Sequence, residues 1–340
     1  MLDVPTIGII GYGFVGKATA LLWQLPSISI NDPKLPGSFP LPEIAECDLI
    51  FICVPTPMKF DGGPQDTSII RSTLRDLAEE LDKQHHEEAI VIVKSTVLPD
   101  VLLNIKQDFP WLRLVMSPEF LREKTWRHDA MAPRFHIFGG EYRDTKQVAD
   151  WCNDFSIAPG IPIYQVSLTA APLVKYMINT FLAMKVIFMN QWRLVFDRSG
   201  APDSWADVVK AFHADVRVGN SHGAVPGPDG MMGYGGKCFP KDVAAIIHFA
   251  DRVRRPFSLL AEIQRINHEI RPKRDWLKID GATSKGKIED LEDPQEKWDC
   301  LGWYMEIGKP WAISGVCSAR CPARFKCWKL KKERLAQEED

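Results

Sequence analysis

The sequence predicts an α/β fold: an N-terminal Rossmann-type parallel sheet, then an α-helical central domain, then a poorly specified tail. Three observations carry this. Short apolar runs alternate with helical spacing over the first 155 residues. A Gly-x-Gly-x-x-Gly turn joins the first apolar run to the first helix. From residue 167 the strand pattern stops and long helical periods begin.

In chain order, residues 6–10 read as a strand ending at Gly11, and residues 14–25 as a helix. Residues 27–31 form a second strand with Asp32 at its end. Residues 47–54 are a continuous apolar run bounded by Pro55 and Pro57, the pattern of a buried strand. Helical spacing covers 69–83, strand 89–93 follows, and 113–116 and 136–138 add two more. Alternation of this kind places helices on both faces of a parallel sheet. The first domain is set at 1–155 and the second at 156–271. The second holds helices over 168–196, 204–213, 243–254 and 256–270, with a glycine-rich loop at 219–238. Pro272 ends the last helix.

The tail, 272–340, is charged and turn-rich, with no clear period. It mixes tryptophan and lysine with Cys300, Cys317, Cys321 and Cys327. The spacing Cys317-x3-Cys321-x5-Cys327 is not a standard metal pair, and the tail has no histidine, so no metal is expected.

At 340 residues, two domains of about 150 residues each are expected. The chain is 45% hydrophobic and 25% charged, ordinary for a soluble globular protein. A net charge of −2 argues against nucleic acid or an anionic membrane as the main partner. No uninterrupted apolar run approaches the ~18 residues of a membrane helix. No basic segment precedes an apolar one at the N-terminus. Eight cysteines in this length do not make a secreted disulfide scaffold, so the cytoplasm is the expected compartment.

The motifs carry the chemistry. In Gly11-Tyr12-Gly13-Phe14-Val15-Gly16 the first glycine permits a tight turn. The second lets the backbone approach a pyrophosphate, and the third lets helix pack on strand. A carboxylate at Asp32 would bond the ribose hydroxyls of NAD and repel the 2′-phosphate of NADP. Val54-Pro55-Thr56-Pro57 and Lys94-Ser95-Thr96-Val97 both follow apolar strands. They therefore lie at the carboxyl edge of the sheet, where doubly wound folds bind ligands. The sharpest segment is Gly233-Tyr234-Gly235-Gly236-Lys237-Cys238-Phe239-Pro240-Lys241-Asp242. A cysteine beside lysines can have its thiolate stabilised, although cysteine also serves as a small core filler. Lys175 and Asn179 are four residues apart and share one helix face.

Together these segments resemble the UDP-glucose/GDP-mannose dehydrogenase family. Pro118-Glu119-Phe120-Leu121-Arg122-Glu123, Leu173-Val174-Lys175-Tyr176 through Asn179 to Lys185, and Asp215-Val216-Arg217 complete the matching order, over roughly residues 5–270. The resemblance implies oxidation of the C6 alcohol of a UDP-glucose-like nucleotide sugar to the uronate, for polysaccharide biosynthesis, with two NAD and one water. It makes Cys238 the nucleophile, passing through a thiohemiacetal and a thioester. Lys175, Asn179 and Asp242 surround the oxygen and the attacking water, and Thr96 and Glu119 position that water. Cofactor contacts fall on Gly11 to Gly16, Asp32, Val54, Thr56, Ser95, Thr96, Glu123 and Lys241. Substrate contacts fall on Glu119, Phe120, Leu121, Lys175, Asn179, Arg217, Tyr234 and Gly235. Arg217 matches an arginine that reaches the neighbouring subunit's substrate, and a homodimer through the central helices is implied.

Ser117, Pro172 and Gln191 depart locally from the family's pattern. The tail lacks the strand–helix alternation of the family's third, UDP-binding domain, so the expectation is a match to the first two domains. A catalytically weak, truncated homologue that binds NAD or a partner subunit is the alternative. A hydroxy-acid dehydrogenase with a similar cofactor domain needs no cysteine, so Cys238 discriminates against it.

Overall fold

The computed structural model describes residues 4–284, other than 24, 26, 60–62 and 123–124. Seven strands form one sheet: β1 (Ile7–Ile10), β2 (Ile28–Asn31), β3 (Leu49–Ile52), β4 (Ile90–Val93), β5 (Arg113–Met116), β6 (His136–Gly139) and β7 (Ile163–Val166). Their order is β2-β1-β3-β4-β5-β6-β7. All neighbours run parallel except β5 and β6, so the last two strands oppose the rest. The register aligns Ile10 with Asn31 and Ile52, and Ile52 with Val93. The residues that follow these positions, Gly11, Asp32, Cys53 and Lys94, thus emerge along one edge.

Crossover helices cover both faces: α1 (Phe14–Leu22), α2 (Leu41–Ala45), α3 (Ser68–Lys83), α4 (Pro99–Asp108), α5 (Trp126–Met131) and α6 (Tyr142–Phe155). Alternation along the strands splits the core in two. Ile10, Ile50, Ile52, Val91 and Val93 pack with Leu74, Leu77 and Val101 on one face. Ile7, Ile9, Phe51, Ile90 and Ile92 pack with Val148 and Trp151 on the other. The central strands are fully buried, which is why they read as unbroken apolar runs.

The helical part contains α7 (Ala170–Phe196), α8 (Trp205–Phe212), α9 (Phe239–Arg252) and α10 (Ser258–Ile270). Tyr176, Ala183 and Ile187 of α7 pack on Val243, Ile246 and Ile247 of α9 and on Leu260 and Ile263 of α10. Leu98, at the foot of the sheet, joins this third core and ties the two parts together. At 27 residues, α7 is long and apolar enough to cross a membrane by length and composition, although its lysines and asparagines break the apolar run in sequence. Half of its apolar window is buried, and so are its polar residues Lys175, Asn179, Lys185 and Asn190. Those are the marks of a core helix.

The first residues of the expected tail are ordered. Asp275–Lys278 forms a 3₁₀ turn, and Trp276 packs with Met58, Ala244 and Ala282. Cys300, Cys317, Cys321 and Cys327 lie outside the described residues.

His136 opens β6 buried, and its Nε2 has no hydrogen-bond partner among the described residues. Burial, reinforced by the Lys94 charge, pushes its pKa down to about 4. The unfolded chain therefore takes up this proton first as pH falls below the ordinary histidine value. Stability present above that value drains away as pH drops toward about 4. Between pH 7 and pH 5 the loss should be about 2 kcal/mol. Urea midpoints at the two pH values measure it, and His136→Phe should remove that part of the acid sensitivity. An equal pH response in the variant would refute the assignment.

Candidate active site

The Gly-x-Gly-x-x-Gly turn divides its labour by space. Gly11 has φ +92°, and an added Cβ would lie 2.8 Å from the Cys53 carbonyl oxygen. At Gly16 a Cβ would lie 2.1 Å from the Gly11 carbonyl oxygen. Both glycines are demanded by the chain itself. At Gly13 a Cβ would meet nothing within 4 Å, and no side chain caps the N-terminus of α1. Open space beside bare helix amides fits the pyrophosphate of a dinucleotide. Tyr12, Phe14 and Val15 are half-buried around it.

Asp32 is already organised. One carboxylate oxygen accepts from the Tyr12 amide at 2.6 Å, the other from the Lys34 amide at 2.8 Å. The Asp32 amide donates to Ser38 Oγ. This fixes an anion where a dinucleotide's ribose would lie, and a 2′-phosphate would meet it. Asp32→Ala should tighten NADP binding by about tenfold, the factor that ~1.4 kcal/mol of relieved repulsion gives. Titrating both cofactors into both proteins checks this. Equal affinities in the unmodified protein would show that Asp32 does not discriminate.

Two of the predicted cofactor residues spend their hydroxyls inside the protein. Ser95 Oγ donates to the Val54 carbonyl at 2.7 Å, and Thr56 Oγ1 to the Thr96 carbonyl at 2.8 Å. Val54 is half-buried at the edge, and the Thr96 hydroxyl takes no partner among the described residues. Glu123 lies outside the described residues.

In the helical part, Cys238, Lys175, Asn179 and Asp242 come together from α7 and the start of α9. Helix α9 starts at Phe239, four residues earlier than the periodicity predicts, so Cys238 becomes its cap residue and Asp242 falls in its first turn. Pro240 is tolerated there because first-turn amides need no helical acceptor. A half-buried thiol at a helix N-terminus gains from the dipole when it ionises. Asp242 is 1% exposed and held from both sides. Asn179 Nδ2 donates to one carboxylate oxygen at 2.5 Å, and Lys241 Nζ pairs with the other at 2.5 Å. Lys241 thus faces Asp242 in the helical part. Lys175 is buried, its ammonium 5.4 Å from the Phe120 ring centroid. Burial pushes its pKa down, while the negative charges of Asp242 and Cys238 pull it back up.

Phe120 is braced by Phe135, with centroids 4.9 Å apart, and Leu121 beside it is half-buried. Glu119 forms an ion pair with the buried Lys94, whose ammonium also donates to Ser117 Oγ at 3.1 Å. Ser117 therefore helps to place the lysine that holds Glu119.

The glycine loop is pinned by residues that sequence reasoning missed. Asn267 is fully buried, accepts from the Tyr234 amide at 2.7 Å and donates to the Tyr234 carbonyl at 3.0 Å. Asn190 accepts from the Gly233 amide. Arg271, 1% exposed, bridges Asp275, Asp229 and the Met232 carbonyl. A Cβ at Gly235 would lie 2.4 Å from Arg271 Nη2, so the loop needs glycine there to pass the guanidinium. Tyr234 turns into the third core, its hydroxyl without a partner among the described residues and its pKa raised by burial. Lys185 donates to the Val218 and Gly219 carbonyls at 2.9 Å each, bracing the turn that carries Arg217. Arg217 itself is exposed and paired with Asp215.

Comparison with known proteins points to one family. Residues 29–153 match the NAD binding domain of the UDP-glucose/GDP-mannose dehydrogenase family, and residues 169–269 match its central domain. UDP-glucose 6-dehydrogenase YwqF of Bacillus subtilis is 30% identical over 233 residues, covering 66% of this chain and 49% of that protein. A UDP-glucose 6-dehydrogenase of Campylobacter jejuni is 31% identical over 300 residues, covering 78% and 72%. The structure of a UDP-glucose dehydrogenase from Pyrobaculum islandicum superposes with a TM-score of 0.66 at 25% identity, covering 78% of this chain and 68% of that one. This chain spans about half the length of the Bacillus relatives. With an NAD-binding sheet domain and a central helical domain both matched in order, the chain belongs to the UDP-glucose/GDP-mannose dehydrogenase family.

Proposed function

We propose that this protein oxidises the C6 hydroxymethyl group of a UDP-glucose-like nucleotide sugar to the carboxylate, using two NAD and one water per sugar. The observation that carries the reading is the convergence of the half-buried Cys238 with the buried Lys175, Asn179 and Asp242 from α7 and the start of α9. Bound NAD supplies the hydride acceptor for both oxidations.

The chain's own residues do the rest. Gly13 and the amides of α1 hold the pyrophosphate, and Asp32 holds the ribose. The Cys238 thiolate adds to the C6 aldehyde carbon, forming a C–S bond and an oxyanion. The Lys175 ammonium and the second Asn179 Nδ2 hydrogen stabilise that oxyanion in a site shielded from water. Oxidation of the thiohemiacetal leaves a thioester on Cys238. Water, positioned by Thr96 and by Glu119 on its Lys94 support, attacks the thioester carbon. The C–S bond breaks, the carboxylate leaves, and the thiol is restored. Asp242 keeps the Asn179 amide aimed and shuttles protons with Lys241.

Helix α7 leaves Met177, Phe181, Phe188 and Trp192 exposed, an apolar face that supports a homodimer. The exposed Arg217 would then reach the partner's sugar nucleotide. Cys47, Cys53, Cys152 and Cys238 are thiols, which suits a reducing compartment such as the cytoplasm.

The test is the purified protein with NAD and a panel of nucleotide sugars, counting NADH formed per sugar consumed. Two NADH and a carboxylate are expected. One NADH with a released aldehyde would remove Cys238 from the mechanism. No NADH from any nucleotide sugar would overturn the reading.

A further inference from the structure

We propose that Gln65 is a positioning residue that locks the Thr96 edge of the sheet to the helix carrying Lys175 and Asn179. The inference rests on the oxidation proposed above.

Gln65 is 7% exposed and lies outside every motif. Its Nε2 donates to the Thr96 carbonyl at 2.6 Å. That carbonyl also accepts from Thr56 Oγ1 at 2.8 Å, so both of its lone pairs are used and the Thr96 peptide plane is held. The other end of the same amide reaches the helical part. Gln65 Oε1 accepts from the Tyr176 hydroxyl at 3.4 Å, across 111 residues of chain. Tyr176 is 1% exposed and directly follows Lys175 on α7. One planar amide therefore fixes the spacing between the group that places the water and the helix that stabilises the oxyanion.

The backbone around Gln65 is itself anchored. Gln65 bridges antiparallel to Met58, and Met58 bridges parallel to Thr283. The Met58 amide donates to the Ala282 carbonyl at 3.0 Å, and the Ser284 amide donates to the Met58 carbonyl at 2.8 Å. The segment after α10 thus pairs with Met58, which in turn bridges the Gln65 backbone. A reacting geometry held this tightly loses rate, and not binding, when it loosens.

Gln65→Leu keeps the volume and removes the hydrogen bonds to Tyr176 and to the Thr96 and Thr56 carbonyls, while Thr56 Oγ1 still holds the Thr96 carbonyl, so the fold should survive. The expected result is a kcat for carboxylate formation lower by about tenfold, with the nucleotide-sugar KM and NAD affinity within about twofold. Tyr176→Phe, which deletes one oxygen, should give a similar loss, and the double variant should be no worse than either single one. Additive losses, or a kcat that falls only in step with Tm, would overturn the proposal. If the unmodified protein oxidises no nucleotide sugar, the proposed function fails and hydrogen exchange decides on Gln65 alone. NAD should then slow amide exchange in the first turns of α7 in the unmodified protein and not in Gln65→Leu. An equal response in both proteins, or none in either, would show that the joint transmits nothing.

Discussion

Replacing Cys238 with alanine should abolish carboxylate formation, a loss on the order of 10⁴-fold or more, as for removal of other covalent nucleophiles. Cys238 stands at the N-cap position of α9, a 14-residue helix, and shares its surroundings with the Lys175 ammonium and the Asp242 carboxylate. Helix dipole and ammonium both favour the thiolate, and burial of the cluster excludes competing water. Serine at this position keeps the shape, yet an alcohol gives up its proton far less readily than a thiol, and the nearby Asp242 carboxylate is already engaged by Asn179 and Lys241. Cys238→Ser should therefore form no thioester. The side chain is half-buried at a helix start, so neither variant should shift Tm by more than a few degrees or weaken NAD binding. Quenched-flow counting of NADH, with mass spectrometry for an acyl adduct on residue 238, separates the outcomes. Two NADH per sugar at an undiminished rate in Cys238→Ala would reduce the cysteine to a packing residue.

The second large effect separates two glycines three residues apart. Gly16→Val should destabilise the protein by about 3 kcal/mol or more, because its Cβ would press on the Gly11 carbonyl oxygen and the backbone must move. Gly13→Val should leave the melting temperature almost unchanged, since open space surrounds that position. It should instead cost NAD affinity on the order of 10²-fold, because the isopropyl group fills the open space that a pyrophosphate needs and covers the α1 amides. Thermal melts and NAD titrations on the two variants give opposite patterns if the division is right. Normal NAD binding by Gly13→Val would show that the phosphates lie elsewhere.

How much of this was legible follows from distance along the chain. The five central strands are buried on both faces or end in tight turns, so their apolar runs survive in the sequence. Strand β7 escaped notice because it lies at the sheet's edge, with Tyr164 and Gln165 exposed, and carries no such run. The glycine turn with Asp32, and the Cys238 segment, are local, and local chemistry reads directly. Gln65, Asn190, Asn267, Arg271 and Asp275 do not, because each has a partner more than thirty residues away: Tyr176, Gly233, Tyr234, Asp229 and Gly236 in turn. A buried amide that bonds a distant backbone looks, in sequence, like any surface asparagine or glutamine. Arg271 and Asp275 sit where composition changes toward the charged tail, which hid their packing against the glycine loop. A usable signal did exist for Lys185 and Lys175. A helix this apolar buries whatever lysines fall on its inner face, and a buried lysine must find carbonyls, carboxylates or an aromatic ring.

The carboxylate of Asp32 also has a bearing on how this protein can evolve. Its two oxygens terminate the amides of Tyr12 and Lys34, so the side chain is a structural rivet of the loop as well as a filter for the cofactor. Preference for one dinucleotide does not drift freely by a single exchange, because a residue without the carboxylate gives up one or both of the acceptors that hold the Tyr12 and Lys34 amides, the first of them part-buried. A lineage that changed cofactor would have to recast residues 32–38 together, including the Ser38 hydroxyl that receives the Asp32 amide. Laboratory selection for the other cofactor should accordingly return clustered replacements in this loop, with isolated changes at position 32 surviving only at a cost in stability.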